Sequence, residues 1–248
     1  MKKIFKKNIK HWLQISFLGG LFLISNNIVA SSNNPFSVKD YGNFTHMVAV
    51  KSAPSNVSLQ PMQGLQHLYG LGALQSLQGE ITIIDGNVLI SYGTTNDGHT
   101  TRVTSQDNAT ILATASVKNW IPVAIPSNLK QLSFEEFVLE ARSKYGIPID
   151  APFPFLVTGE IKNLHWHVVN GLNFPAKKSA SPAHKKNFEA ANTNGSLIGF
   201  YSGKQLEGVI SHPGERFHLH FTDANFTHAG HVDDYTIGAN ATLFLPKN

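Results

Sequence analysis

The sequence predicts a β-rich α/β chain of the α+β kind, with two packed mixed or antiparallel sheet regions and few helices. Three observations carry that expectation. Short runs of β-branched and aromatic residues recur between turn signals along most of the chain. Asp85-Gly86 joins two such runs in "EITIIDGNVLISY", a dipeptide suited to the positive φ of a tight hairpin turn. Only one segment, near Ser133, carries a full set of helix signals.

Taken in order, residues 1–30 read as a cleaved secretory leader. Lys2, Lys3, Lys6, Lys7 and Lys10 form a basic start, "ISFLGGLFLI" is apolar, and "IVA" ends in small residues at Ala30. The apolar run is too short for a comfortable membrane span, so cleavage is expected near Ala30-Ser31, with a periplasmic or secreted bacterial product and no membrane association afterwards. The segment holds five lysines and no acid. Without it the formal charge of +4 for 248 residues falls to about −1, which excludes the basic footprint of a nucleic-acid binder. The chain has no Cys, so disulfides and thiolate chemistry are excluded and any zinc must be held by His and carboxylate.

Residues 31–45, "SSNNPFSVKDYGNFT", are polar and turn-rich and read as a loose N-terminal arm. The body spans 46–248, with sheet halves of about 46–150 and 151–248. In the first half, the hairpin Glu80 to Tyr92 is followed by β-like "ATILATASV" and "WIPVAIP". Ser133 caps the expected helix, Glu136 is its capping-box partner, and Phe134, Phe137, Val138 and Ala141 form its apolar stripe, with Gly146 and Pro148 ending it. In the second half, "FPFLVTGEIKNLHWHVV" reads as one long or bulged strand with Gly159 at the bend. Residues 171–195 are small, polar and basic, the composition of a surface excursion between sheet regions. "SLIGFYS" and "RFHLHFTD" are strands again.

Four of the chain's twelve histidines fall within "FHLHFTDANFTHAGHVDDY". Alternate residues of a strand share a face, so His218 and His220 point the same way, with Cβ atoms roughly 7 Å apart. An isolated His-x-His pair is more often solvated than ligating. Here a third residue, His231, follows at hairpin distance on an alternating segment, and Asp233 and Asp234 stand by as acceptors for the ligand rings. Three imidazoles with an open position are the catalytic type of zinc site, and a cation so held is a strong Lewis acid. His212 and His228 read as loop surface residues. A second pair, His165 and His167, fits either a solvated face or a wall of the same cavity.

Two separated stretches resemble the acetolactate decarboxylase family. "YGLGALQSLQGEITIIDGNVLISY" is similar to its N-terminal signature, and "IGFYSGKQLEGV" with "FHLHFTDANFTHAGHVDDY" to its C-terminal one. The likeness runs from about Tyr69 to Tyr235. It implies a two-part α/β fold with the metal between the sheet regions, His218, His220 and His231 as ligands of Zn2+, and decarboxylation of 2-acetolactate, a small hydroxy-keto acid, to acetoin. It implies Glu80 as the active-site glutamate that handles a proton, and it allows a homodimer. Three departures accompany it, and they leave two alternatives open: a non-catalytic zinc-binding relative, or a decarboxylase or lyase acting on a different hydroxy-keto acid. His167 stands in the place of the family arginine, where it binds a carboxylate only while protonated, below roughly pH 6.5. The family's glutamate-bearing C-terminal tail has no expected counterpart after "ATLFLPKN". "HPGERFH" carries two extra residues, Glu215 and Arg216, and Arg216 is either a replacement cation or an ordinary surface residue. Ala73 stands where many relatives carry a hydroxyl.

Overall fold

The structure, a computed structural model, describes residues 34–126, 129, 131–173 and 182–247, with the side chains of residues 131–133 outside the description. The leader expected over residues 1–30 lies outside the described residues. Among those described, no helix is long and apolar enough to cross a membrane.

Thirteen strands among the described residues form two antiparallel sheets. The first contains β1 (Lys39–Tyr41), β2 (Val57–Ser58), β3 (Leu68–Leu74), β4 (Gly79–Ile84), β5 (Asn87–Tyr92), β6 (Thr100–Arg102) and β7 (Asn108–Ser116), in the order β1-β7-β3-β4-β5-β6 with β2 also on β7. The second contains β8 (Trp120–Ala124), β9 (Phe153–Leu172), β10 (Ala183–Tyr201), β11 (Phe217–Asp223), β12 (Ala229–Ile237) and β13 (Thr242–Pro246), in the order β10-β11-β12-β9-β13-β8. Because β10 also pairs with β9, strands β9 to β12 close into a ring of pairings. The sheets meet at 117–119, earlier than the boundary expected near 150, because β8 pairs with β13 of the second sheet.

Asp85 and Gly86 take φ of 47° and 77°, and the β4–β5 hairpin closes with Ile84 opposite Asn87, as the dipeptide predicts. Gly159 takes φ 132° at the bend of β9. The helix α2 (Gln131–Lys144) buries Phe134, Val138 and Ala141, and the Phe134 ring meets Tyr235 of β12 edge-on at 5.9 Å. It begins two residues before Ser133, which is therefore inside the helix and not its cap.

Two expectations are corrected. The arm expected over 31–45 is docked over its described part: Phe36 and Val38 are buried, β1 pairs with β7, and Asn43 caps a further helix, α1 (Phe44–Val50), by accepting from the His46 N–H at 2.8 Å. Two apolar side chains and a cap outweigh a polar composition. The surface excursion expected over 171–195 is short. Residues 183–195 already belong to β10 and pair with β9, while 174–181 lie outside the described residues.

Candidate active site

Strand pairing places the histidines. Alternation along β11 puts His218 and His220 on one face, with ring centroids 5.1 Å apart. The β11–β12 register sets His220 opposite His231, and the β12–β9 register sets His231 opposite His167. One row of imidazoles therefore crosses three neighbouring strands. His218 Nε2 stands 3.0 Å from His231 Nδ1, and one ring nitrogen from each of His218, His220 and His231 lies within 4.8 Å of the others. Nitrogens bound at 2.0–2.1 Å to one tetrahedral zinc stand about 3.4 Å apart, so the three rings need only small adjustments to share an ion.

The backs of the rings are fixed by hydrogen bonds. His218 Nδ1 lies 2.5 Å from the Ile210 carbonyl, which can only accept, so that nitrogen carries the hydrogen and Nε2 presents a lone pair. His220 Nδ1 meets Thr82 Oγ1 of β4 at 3.1 Å, and its Nε2 is buried without a hydrogen-bond partner among the described residues. An orphaned buried ring nitrogen is costly, and a cation would satisfy it. The donor set and this orphan together fit a divalent metal.

Burial keeps these rings neutral. It drives His218 down to about 4 against the opposing pull of the Ile210 carbonyl. His220 and His231 fall well below the ordinary histidine value, first from burial and then from their imidazole neighbours. Neutral rings are what a metal requires.

Glu80 comes from the first sheet and is 4% exposed. Its Oε2 lies 3.6 Å from His220 Nε2 and its Oε1 4.0 Å from His167 Nε2. Burial pushes its carboxyl well above the ordinary range, with the Val169 N–H and the Lys185 charge pulling the other way. A carboxyl shifted this way keeps its proton to higher pH than an exposed one and is suited to donate it.

The cavity beside these groups is lined by Phe44 and Met47 of α1, Ala73, Leu77, Ile111 and Val169, and by Glu80, His167, His218 and His231. The structure thus brings together all five residues singled out from the sequence. His165 does not join them: it is exposed, and only His167 of that pair reaches the cavity. His167 donates through Nδ1 to Asp233 Oδ2 at 2.7 Å, and burial lowers its pKa despite that carboxylate. The lowered value narrows the acidic range in which His167 carries the charge that a carboxylate would need. Arg216 is 49% exposed at its side chain, lies off the cavity wall and pairs with Glu207 at 3.3 Å, so it is a surface residue. Asp234 turns its carboxylate to the Tyr235 N–H.

Sequence reasoning missed three wall groups. His212 lines the cavity with its ring 4.0 Å from that of Phe44, where a surface loop was expected. Its loop is anchored from the far side, because the Phe44 and Thr45 N–H groups donate to the Val209 and Gly208 carbonyls. Glu215 and Lys185 also line the cavity. Reading 183–195 as strand would have found Lys185, which pairs in register with the wall residue Val169.

Comparison with known proteins follows the same outline. A sequence model described as alpha-acetolactate decarboxylase matches residues 66–246. The alpha-acetolactate decarboxylase of Streptococcus thermophilus is 24% identical over 169 residues, covering 68% of this chain and 67% of the relative. That of Lactococcus lactis subsp. cremoris is 22% identical over 174 residues, with the same coverage. The crystal structure of alpha-acetolactate decarboxylase from Bacillus subtilis strain 168 superposes with a TM-score of 0.67 at 20% identity, covering 85% of this chain and 86% of that one. A Staphylococcus aureus protein of unknown function, described as similar to alpha-acetolactate decarboxylase, gives 0.62 at 14% identity, with 85% of each chain covered. With the family match spanning most of the chain and the fold agreeing, this protein belongs to the alpha-acetolactate decarboxylase family of carboxy-lyases.

Proposed function

We propose that this protein decarboxylates 2-acetolactate to acetoin and CO2 with a zinc ion held by His218, His220 and His231. The observation that carries the reading is the orphaned Nε2 of buried His220, set among two further neutral imidazoles and beside a buried glutamate. Bound there, the cation supplies Lewis acidity, stabilising negative charge that develops on the keto and hydroxyl oxygens of the substrate.

The chain's own residues do the rest. The carbon–carbon bond to the carboxylate breaks, its electron pair passes into the adjacent carbonyl, and one proton must reach carbon to complete acetoin. Glu80, holding its proton through burial, is the donor. His167, oriented by Asp233, faces Glu80 with Nε2 4.0 Å from Oε1. The apolar wall of Phe44, Met47, Leu77 and Ile111 keeps water from competing for the developing carbanion. The leader of residues 1–30 makes the periplasm or medium the place of action.

The test is metal analysis and turnover on the same preparation. One zinc per chain, with acetoin formed from racemic acetolactate and lost in Glu80→Gln, is the expected result. Zinc bound without any turnover would leave a metal-binding relative and overturn the assignment.

A further inference from the structure

We infer that Lys185 is the cation that receives the substrate carboxylate, from the mouth of the cavity and from a strand that carries none of the metal ligands. The inference rests on the proposed decarboxylation and names the carboxylate end of that site.

Among the described residues on the cavity wall, Lys185 is the only lysine or arginine. His167 is already committed to Asp233 through Nδ1, and Arg216 is held outside by Glu207. An acid entering this cavity therefore meets one fixed positive charge, set against Glu80 and Glu215 on the same wall. The position of Lys185 fits an entrance. Its side chain is 35% exposed, while the imidazoles and Glu80 lie deeper.

Its present partner is one it can leave. The ammonium lies 3.7 Å from Asp233 Oδ1, well beyond the 2.7–2.9 Å of a charge-assisted hydrogen bond. The other oxygen of Asp233 is taken by His167 at 2.7 Å. Asp233 stays hydrogen-bonded when the flexible lysine turns to an arriving carboxylate, and no charge is stranded in the interior.

The chemistry sets the kinetic signature. The carboxylate leaves as neutral CO2, so a cation on it stabilises the bound substrate more than the transition state. Lys185 is a substrate-binding residue whose loss raises KM without lowering kcat.

The variants are Lys185→Met, which keeps the aliphatic stem, and Lys185→Arg, which keeps the charge. In zinc-loaded protein, Lys185→Met is expected to raise KM for acetolactate about tenfold or more with kcat unchanged or higher, and Lys185→Arg to stay within about threefold of the parent. Calorimetry gives a readout independent of turnover. Lys185→Met is expected to weaken binding of 2,3-dihydroxy-2-methylbutanoate about tenfold and to leave butane-2,3-diol, which lacks the carboxylate, within about twofold. Equal binding of the carboxylate probe by parent and Lys185→Met, or a fall in kcat at constant KM, overturns the inference. If the parent protein turns over no acetolactate, the proposed reaction fails, while the paired binding measurements still decide the role of Lys185.

Discussion

The Nε2 atom of His220 is buried with no hydrogen-bond partner while its Nδ1 is tied to Thr82, so this ring has one unmet need and little freedom to turn away from it. His220→Ala should abolish stoichiometric zinc binding, with affinity falling by about 100-fold or more, and should leave far-UV circular dichroism unchanged because no strand register depends on the ring. Zinc retained at parental affinity, measured by competition with a chelating dye, would mean that the other imidazoles suffice. At this scale the sequence was informative about the ligands and silent about what aims them. His-x-His plus a third His at hairpin spacing follows from strand alternation. Ile210 contributes through a backbone carbonyl and Thr82 arrives from the other sheet, and neither contact leaves a spacing to read. Lys185 was obscured for a different reason, since it sits in a basic run whose flanks resemble a loop.

The long hairpin β9–β10 shows which elements a pattern reveals and which it hides. The first half of β9 is apolar enough to be read directly, and Gly159 marks its bend. A Cβ at that position would stand 2.7 Å from Ala241 Cα, with φ at 132°, so both space and backbone conformation demand glycine. Gly159→Ala should cost about 1–3 kcal/mol, read as a lower urea midpoint at unchanged slope, with zinc stoichiometry preserved because His218, His220 and His231 lie on β11 and β12. A neutral substitution would show that the bend is looser than drawn. The first half of β10 escaped notice because few of its residues are deeply buried and polar ones face both ways, which removes the alternation that identifies a half-buried strand. The helix α1 was missed for its shortness, seven residues held by an asparagine cap and by two hydrogen bonds to the 208–209 backbone.

For the molecule as a whole, the neutral histidine cluster makes stability depend on acidity. His218 has a folded-state value of about 4 against 6.5 when unfolded, so between those limits the unfolded chain takes up a proton that the folded one refuses, and stability is lost as the pH falls through that window. His220, His231, His167 and His212 shift the same way. Glu80 shifts upward and opposes them, contributing stability at low pH that is lost as the pH rises. Glu135 is raised by burial as well, and two carboxyls against five imidazoles leave the net sign with the histidines. The urea midpoint of metal-free protein should therefore drop between pH 7 and pH 5, and a flat profile would show that the rings are hydrated and easily charged. Chelation itself should leave the protein folded, since the apolar clusters of both sheets are built from side chains other than the ligands. The closed circuit of strands β9 to β12 has a last consequence. Each ligand ring is carried by a strand bonded on both sides, so when an ion leaves by rotation of the rings the backbone beneath them stays paired. The emptied site then keeps the spacing that the next ion needs.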